Sequence, residues 1–200
     1  MSSLLTTPFS TFVAGIIFTV IVLGLILNSC ARPNETKEFV DTYRSAMEKA
    51  GEQSPRDEKT SLEGFTKFLK NVGSKSYIEE NTVNVYAENA YLNDTLVTHY
   101  GPKEIRKYFL ATAETMTSFE LTIDDVIKSG SDYYVRWTMV FSAPKIGGGA
   151  PIHSVGMSQI RFNDEGKVAF HQDFWDSGQN IYGQIPVVGG MIGIIQKRLE

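Results

Sequence analysis

The sequence predicts an α+β domain with an antiparallel sheet, preceded by a hydrophobic amino-terminal segment. Three observations carry this. Helical periodicities occupy the first part of the domain, through Met116. Four runs rich in aromatic and β-branched residues follow, separated by turn residues. Helices first and tightly joined strands afterwards is the order of an α+β fold whose sheet is antiparallel. Finally, no charged side chain occurs from Met1 to Ala31.

Within that segment, Phe12 to Leu27 is apolar except for Thr19 and two glycines. With Pro8 to Thr11 before it and Asn28 and Ser29 after it, the run has the length needed to cross a bilayer. A helix built from it has no polar face to turn towards water. Three readings stay open for residues 1–31. An uncleaved anchor needs only the apolar run. A cleaved signal peptide normally starts with a positive region, which MSSLLTTPFSTF lacks. Leu27-Asn28-Ser29-Cys30 resembles a bacterial lipobox, whose cysteine becomes the lipidated first residue of the mature chain. The expectation is a membrane-anchored protein. Arg32 and Lys37 follow the segment, and the positive-inside tendency then puts the domain in the cytoplasm; lipidation would put it outside the inner membrane.

Residues 32–60 form a polar linker between the breakers Pro33 and Pro55, with Phe39, Tyr43, Met47 and Ala50 spaced as a short helix ending near Gly51. The main domain is expected over 61–180. Ser61 is a plausible N-cap for a helix whose apolar stripe is Leu62, Phe65, Phe68, Leu69 and Val72. Ser76 to Tyr91 carries a helix-to-strand transition, with Val83, Val85 and Ala87 alternating against polar neighbours. Gly101-Pro102 breaks the chain, and Ile105, Tyr108, Phe109 and Ala113 place a helix over Lys103 to Met116. Strands are expected at Phe119 to Ile127, Tyr133 to Ala143, His153 to Phe162 and Val168 to Trp175. A last helix, apolar along Val188, Met191, Ile192, Ile195 and Leu199 and basic at Lys197 and Arg198, is expected within 181–200. It is expected to pack over the sheet, the alternative being a helix on the bilayer surface.

The formal net charge of −4 excludes the basic face of a general nucleic-acid binder. The single cysteine, Cys30, allows no internal disulfide. His99, His153 and His171 lack ligand spacing, so no metal site is expected. No phosphate loop, nucleophile elbow or dinucleotide fingerprint occurs, and no cofactor is expected.

Several segments resemble one family. Tyr86-Ala87-Glu88-Asn89-Ala90-Tyr91-Leu92-Asn93-Asp94 is similar to a Y-x-x-x-x-x-F-x-D-P segment, and Gly101, Ile105 and Tyr108-Phe109 to a G-x-x-x-I-x-x-Y-F helix. Trp137-Thr138-Met139, Val155-Gly156-Met157-Ser158 and Ile160-Arg161-Phe162 are similar to its later strands. Gly166 to Asp176, GKVAFHQDFWD, resembles the G-K-I-x-x-H-x-D-Y-W-D signature of a bacterial SnoaL-like group, followed by a similar tail from Tyr182 to Gly190. The resemblance is to SnoaL-like, nuclear-transport-factor-like domains. It implies a cone-shaped fold, a curved antiparallel sheet with packing helices, and a homodimer. Thr95 stands where relatives often have proline.

On the last strand, alternation puts Ala169, His171, Asp173 and Trp175 on one face and Phe170, Gln172 and Phe174 on the other. A histidine and an aspartate so spaced can hydrogen-bond and set each other's protonation. In a pocket, such a carboxylate can act as a general base. In the SnoaL polyketide cyclases the base is an aspartate in a similar H-x-D stretch, which implies Asp173 here, with His171 beside it. Those enzymes also use a histidine on an earlier strand, where this chain has Ser158 and Gln159, with His153 farther back. The plainer reading of His171 and Asp173 is an outward-facing pair that serves sheet or dimer contacts. Asp94 and His99 form a second candidate pair, and Tyr86, Tyr91, Asp94, Phe109, Trp137 and Trp175 are candidate pocket residues. Three functions compete: a binding module for a small apolar molecule, an isomerase or cyclase with Asp173 as base, and a dimerising assembly protein at the membrane.

Overall fold

The computed structural model describes residues 35–199. The amino-terminal run, with its anchor, signal and lipobox readings, lies outside the described residues. Among the described residues no helix is long and apolar enough to cross a membrane. Ala46–Glu200 forms one compact unit.

Helix α1 spans Glu35–Ala50, and its last turn belongs to the compact unit. Helix α2 spans Glu58–Lys70 and α3 spans Lys75–Val85. Strands β1 (Tyr86–Asn93) and β2 (Thr98–Tyr100) precede helix α4 (Gly101–Thr115). The long strands β3 (Ser118–Ser129), β4 (Asp132–Ser142), β5 (Ile152–Phe162) and β6 (Val168–Trp175) follow. A short helix α5 (Ser177–Asn180), a turn at Tyr182–Gln184 and helix α6 (Pro186–Lys197) close the chain.

The six strands form one sheet in the order β2-β1-β6-β5-β4-β3. Neighbours run antiparallel except β1 and β6, which are parallel. The wholly antiparallel sheet expected from the turn signals is therefore corrected to a mixed one. Turn residues report how consecutive strands join, and β1 and β6 are joined by nothing local. Register shifts at Tyr86/Tyr91, Ile123/Asp125 and Arg161/Phe162 bend the strands, as bulges do, and the curved sheet presents a concave face to α2, α3 and α4.

Local chemistry explains where the helices begin. Asp57, not Ser61, caps α2, its Oδ1 accepting from Thr60 N at 3.0 Å. Ser74 caps α3. Helix α3 continues to Val85, so Val83 and Val85, read as strand, are helical. Gly101 opens α4 at φ 71, where a Cβ would sit 3.0 Å from Glu88 O, and Pro102 fits the first turn, which needs no donor. Phe65, Phe68, Ile78, Ile105 and Phe109 from these helices fill the concave side against Tyr86 and His171.

Part of the expected linker also belongs to the compact unit. Arg161, on the outer sheet face, pairs with Asp132 at 2.8 Å and donates to Met47 O and Gly51 O. Pro55 is buried, and Arg56 N donates to Asp164 O. The expected packing of the last helix over the sheet is corrected: no residue of α6 is buried.

Candidate functional site

Helices α2 and α4 do not close fully onto the concave sheet. They leave a cavity of about 460 Å³, within the ordinary range for small-molecule sites. Its walls are mostly apolar: Leu69 and Val72 from the α2 side, Phe109 and Thr112 from α4, and Met139 and Phe141 from β4. Ile146 and Ile181 contribute from the loops around it. Polar groups gather in two places.

The first is where β4, β5 and β6 lie side by side. The β5–β6 register sets Ser158 opposite Asp173 and Gly156 opposite Trp175, while β4 sets Trp137 opposite Gly156. His171 Nε2 lies 2.8 Å from Asp173 Oδ1, and Ser158 Oγ donates to the same oxygen at 2.5 Å. Trp137 Nε1 donates to Ser158 Oγ at 3.0 Å. Behind them, Tyr86 OH lies 2.9 Å from His171 Nδ1. Burial, helped by the Asp173 charge, pushes the Tyr86 phenol well above its ordinary value, so it keeps its proton. The imidazole thus bridges the phenol and the Asp173 carboxylate, with the donor roles at its two nitrogens set by the tautomer. The imidazole is fully buried, edge-on to Phe65 at 5.1 Å and stacked near Tyr86.

His171 Nε2 and Ser158 Oγ converge on one carboxylate oxygen. Asp173 Oδ2 has no hydrogen-bond partner among the described residues, and the side chain, 17 % exposed, opens on the cavity. Gly156 makes the arrangement possible, since any Cβ there would lie 2.3 Å from the Trp137 ring.

The second polar group is Asp94, at the end of β1. Its Oδ1 accepts from Leu96 N and Val97 N at 3.0 and 2.9 Å, and Tyr108 OH donates to Oδ2. Trp175 Nε1 donates to Asp94 O at 2.7 Å and ties this loop to the end of β6. Burial raises the Asp94 carboxyl above its usual range; the backbone donors work against this, and the Asp173 charge adds to it.

The structure thus brings Asp94, Phe109, Trp137, His171, Asp173 and Trp175 to one cavity, on the concave side and not on an outward face. Two candidate pocket residues are corrected. Tyr91 pairs with Phe170 and stacks on it at 5.2 Å, and its OH bonds Gln172, all on the other sheet face. Tyr86 lies behind His171 and does not line the cavity. The Asp94–His99 pair is also corrected. Asp94 takes Tyr108, while the His99 ring stacks on Tyr108 at 4.7 Å and its buried Nε2 has no partner among the described residues. His153 is exposed and off the cavity. Tyr108 and the bond from Ser158 to Asp173 were not foreseen. Among the described residues no cluster of three or more His, Cys, Asp or Glu side chains is placed to hold a metal ion.

A family model for the SnoaL-like domain matches residues 65–171, more than half of the 200-residue chain. The chain belongs to the SnoaL-like domain family. The match ends at His171, so Asp173 and Trp175 lie just beyond it. Solved structures agree on the fold of this SnoaL-like protein. A candidate SnoaL-like polyketide cyclase from Shewanella denitrificans aligns with a TM-score of 0.53 and 14 % identity, over 63 % of this chain and 96 % of that one. An NTF2-like protein of unknown function from Exiguobacterium aligns at 0.51 and 10 % identity, over 58 % and 98 %. An epoxide hydrolase of M. tuberculosis, described as LEH-like, aligns at 0.50 and 10 % identity, over 68 % and 96 %. At such identities the likeness concerns the fold alone. No curated protein matches the sequence.

Proposed function

We propose that this SnoaL-like domain is held at a membrane by its amino-terminal run and binds a small, mostly apolar molecule in the cavity. The observation that carries the reading is an unpartnered carboxylate oxygen, Asp173 Oδ2, in a mostly apolar chamber. Such a site selects a compound with an apolar body and one hydrogen-donating group. Apolar walls supply the affinity, and the fixed oxygen sets the orientation.

A second reading, a proton-transfer enzyme of the isomerase or cyclase type, is favoured by the two carboxyls at one cavity. Asp173, backed by His171 and Tyr86, is placed to take a proton. Asp94, whose carboxyl burial holds up, is suited to keep or give one. The outer sheet face, with Val155 and Phe174 exposed, is the surface we assign to a homodimer.

Native mass spectrometry of the chain and of Asp173→Asn tests the first two readings. A co-purifying apolar compound held by the parent and lost or weakened in the variant supports the binding module. A compound accumulating only in the variant is trapped substrate and favours the enzyme. An empty cavity in both, under conditions that preserve other apolar complexes, overturns both readings.

A further inference from the structure

Helix α6 is built the wrong way round for a helix that packs on its own domain. Helical spacing puts Val187, Val188, Met191, Ile194 and Ile195 on one side and Gly189, Gly190 and Gly193 on the other. Gly189 is the point of contact: a Cβ there would lie 2.1 Å from Gly183 O, so the helix rests against the preceding turn at a distance only glycine permits, while Gly190 and Gly193 meet nothing within 4 Å. The bulky side chains point away, Val187 being 75 % and Leu199 84 % exposed, with Met191, Ile194 and Ile195 each more than half exposed. Between Asp176 and Glu200 the only charged residues are Lys197 and Arg198, which close the helix.

We propose that α6 lies on the surface of an anionic bilayer, its apolar side among the acyl chains and Lys197 and Arg198 at the headgroups. Two observations choose lipid over a protein groove. The charges at the end of the helix itself, Lys197 and Arg198, are cationic and complementary to an anionic surface, with Glu200 beyond them. The same chain also carries an uncharged apolar run of bilayer-spanning length. A domain tethered by that run is held at high effective concentration near lipid, so a short helix suffices to dock it. The proposal rests on the membrane reading of the amino terminus and not on the cavity's ligand.

The test uses the full chain with Cys30→Ser, reconstituted into vesicles of phosphatidylcholine and phosphatidylglycerol. An environment-sensitive fluorophore is placed at Ile194→Cys or, as a control, at the exposed Lys59→Cys. The expected result is a blue-shifted emission at 194, quenched by nitroxide-bearing lipid and several-fold less open to aqueous iodide than at 59. Adding Lys197→Glu and Arg198→Glu should return 194 towards the control while the chain still floats with the vesicles. Equal iodide access at the two sites of a floating chain overturns the docking and leaves the anchor standing. Protection at 194 that needs no lipid and grows with protein concentration assigns the face to a second copy and overturns the proposal. A chain that does not float overturns both anchor and docking.

Discussion

Replacing Gly156 by alanine tests the geometry of the cavity floor with one methyl group. The new Cβ would meet Trp137 Cη2, Cζ2 and Cζ3 at 2.3, 2.5 and 2.8 Å. The indole has to retreat by roughly 1 Å to regain van der Waals separation, towards the cavity it lines. Overpacking of this kind costs about 1–3 kcal/mol. The retreat also strips the Trp137 donor from Ser158, about 1 kcal/mol more. Removing a glycine from a strand returns about 0.5–1 kcal/mol. The net expectation is a loss of about 2 kcal/mol, lowering a urea midpoint by roughly 1 M. A chain beginning at Glu35 retains every described element and suits urea unfolding followed by circular dichroism, with tryptophan emission as a second probe. Ser158, released from Trp137, still reaches Asp173, so the variant should keep the His171–Asp173 pair while shrinking the cavity. An unchanged or higher midpoint with unchanged emission would refute the close packing of Trp137 on Gly156.

Arg161→Met leaves Asp132 partly buried without its cation and should cost about 3 kcal/mol by urea unfolding. Burial pushes the Asp132 carboxyl up, but the Arg161 and Gln159 bonds outweigh this and hold it low. The pair's stability is therefore present above the ordinary aspartate value and lost as pH falls through the lower folded value; Arg161→Met should flatten that acid limb. Asp94 behaves oppositely. Burial raises its folded value, so stability is full below the unfolded value and declines as pH rises to the folded one. Asp94→Asn should remove the decline in unfolding midpoints measured across that range. Thr95 sits at φ 74, so Thr95→Gly should stabilise by about 1 kcal/mol in thermal melts, and Thr95→Pro, which demands a negative φ, should destabilise.

Much of the fold could be read from residue order, because its signals are local. Strand β6 has the limits the sequence predicts, bounded by the Asn163–Gly166 turn and Asp176. The other three long strands differ from expectation only at their ends. What escaped depends on distant partners. The bond between Ser158 and Asp173 rests on a bulge between Arg161 and Phe162. Counting back from the pair Phe162 and Val168 without that bulge would set Ser158 against Gln172, on the wrong face. Tyr91 was misplaced because its face follows from pairing with Phe170, in a strand far along the chain. Asp94 pairs with Tyr108 across a turn of helix that no spacing rule connects to the loop. In α6 the apolar stripe was legible, but its direction was not: periodicity locates an apolar face, and only packing tells which side is turned inward.

The parallel pairing of β1 with β6 sets an order of assembly. Tyr86 leaves the ribosome long before His171 and Asp173, and β1 lacks its long neighbour until nearly the whole domain has been made. Closing that loop carries a chain-entropy cost that local hairpins do not. The meander β3–β4–β5 can form first, and docking of the last strand then completes the sheet and builds the cavity floor in one step. A nascent or truncated chain ending before Val168 can therefore be largely structured and still possess no site at all.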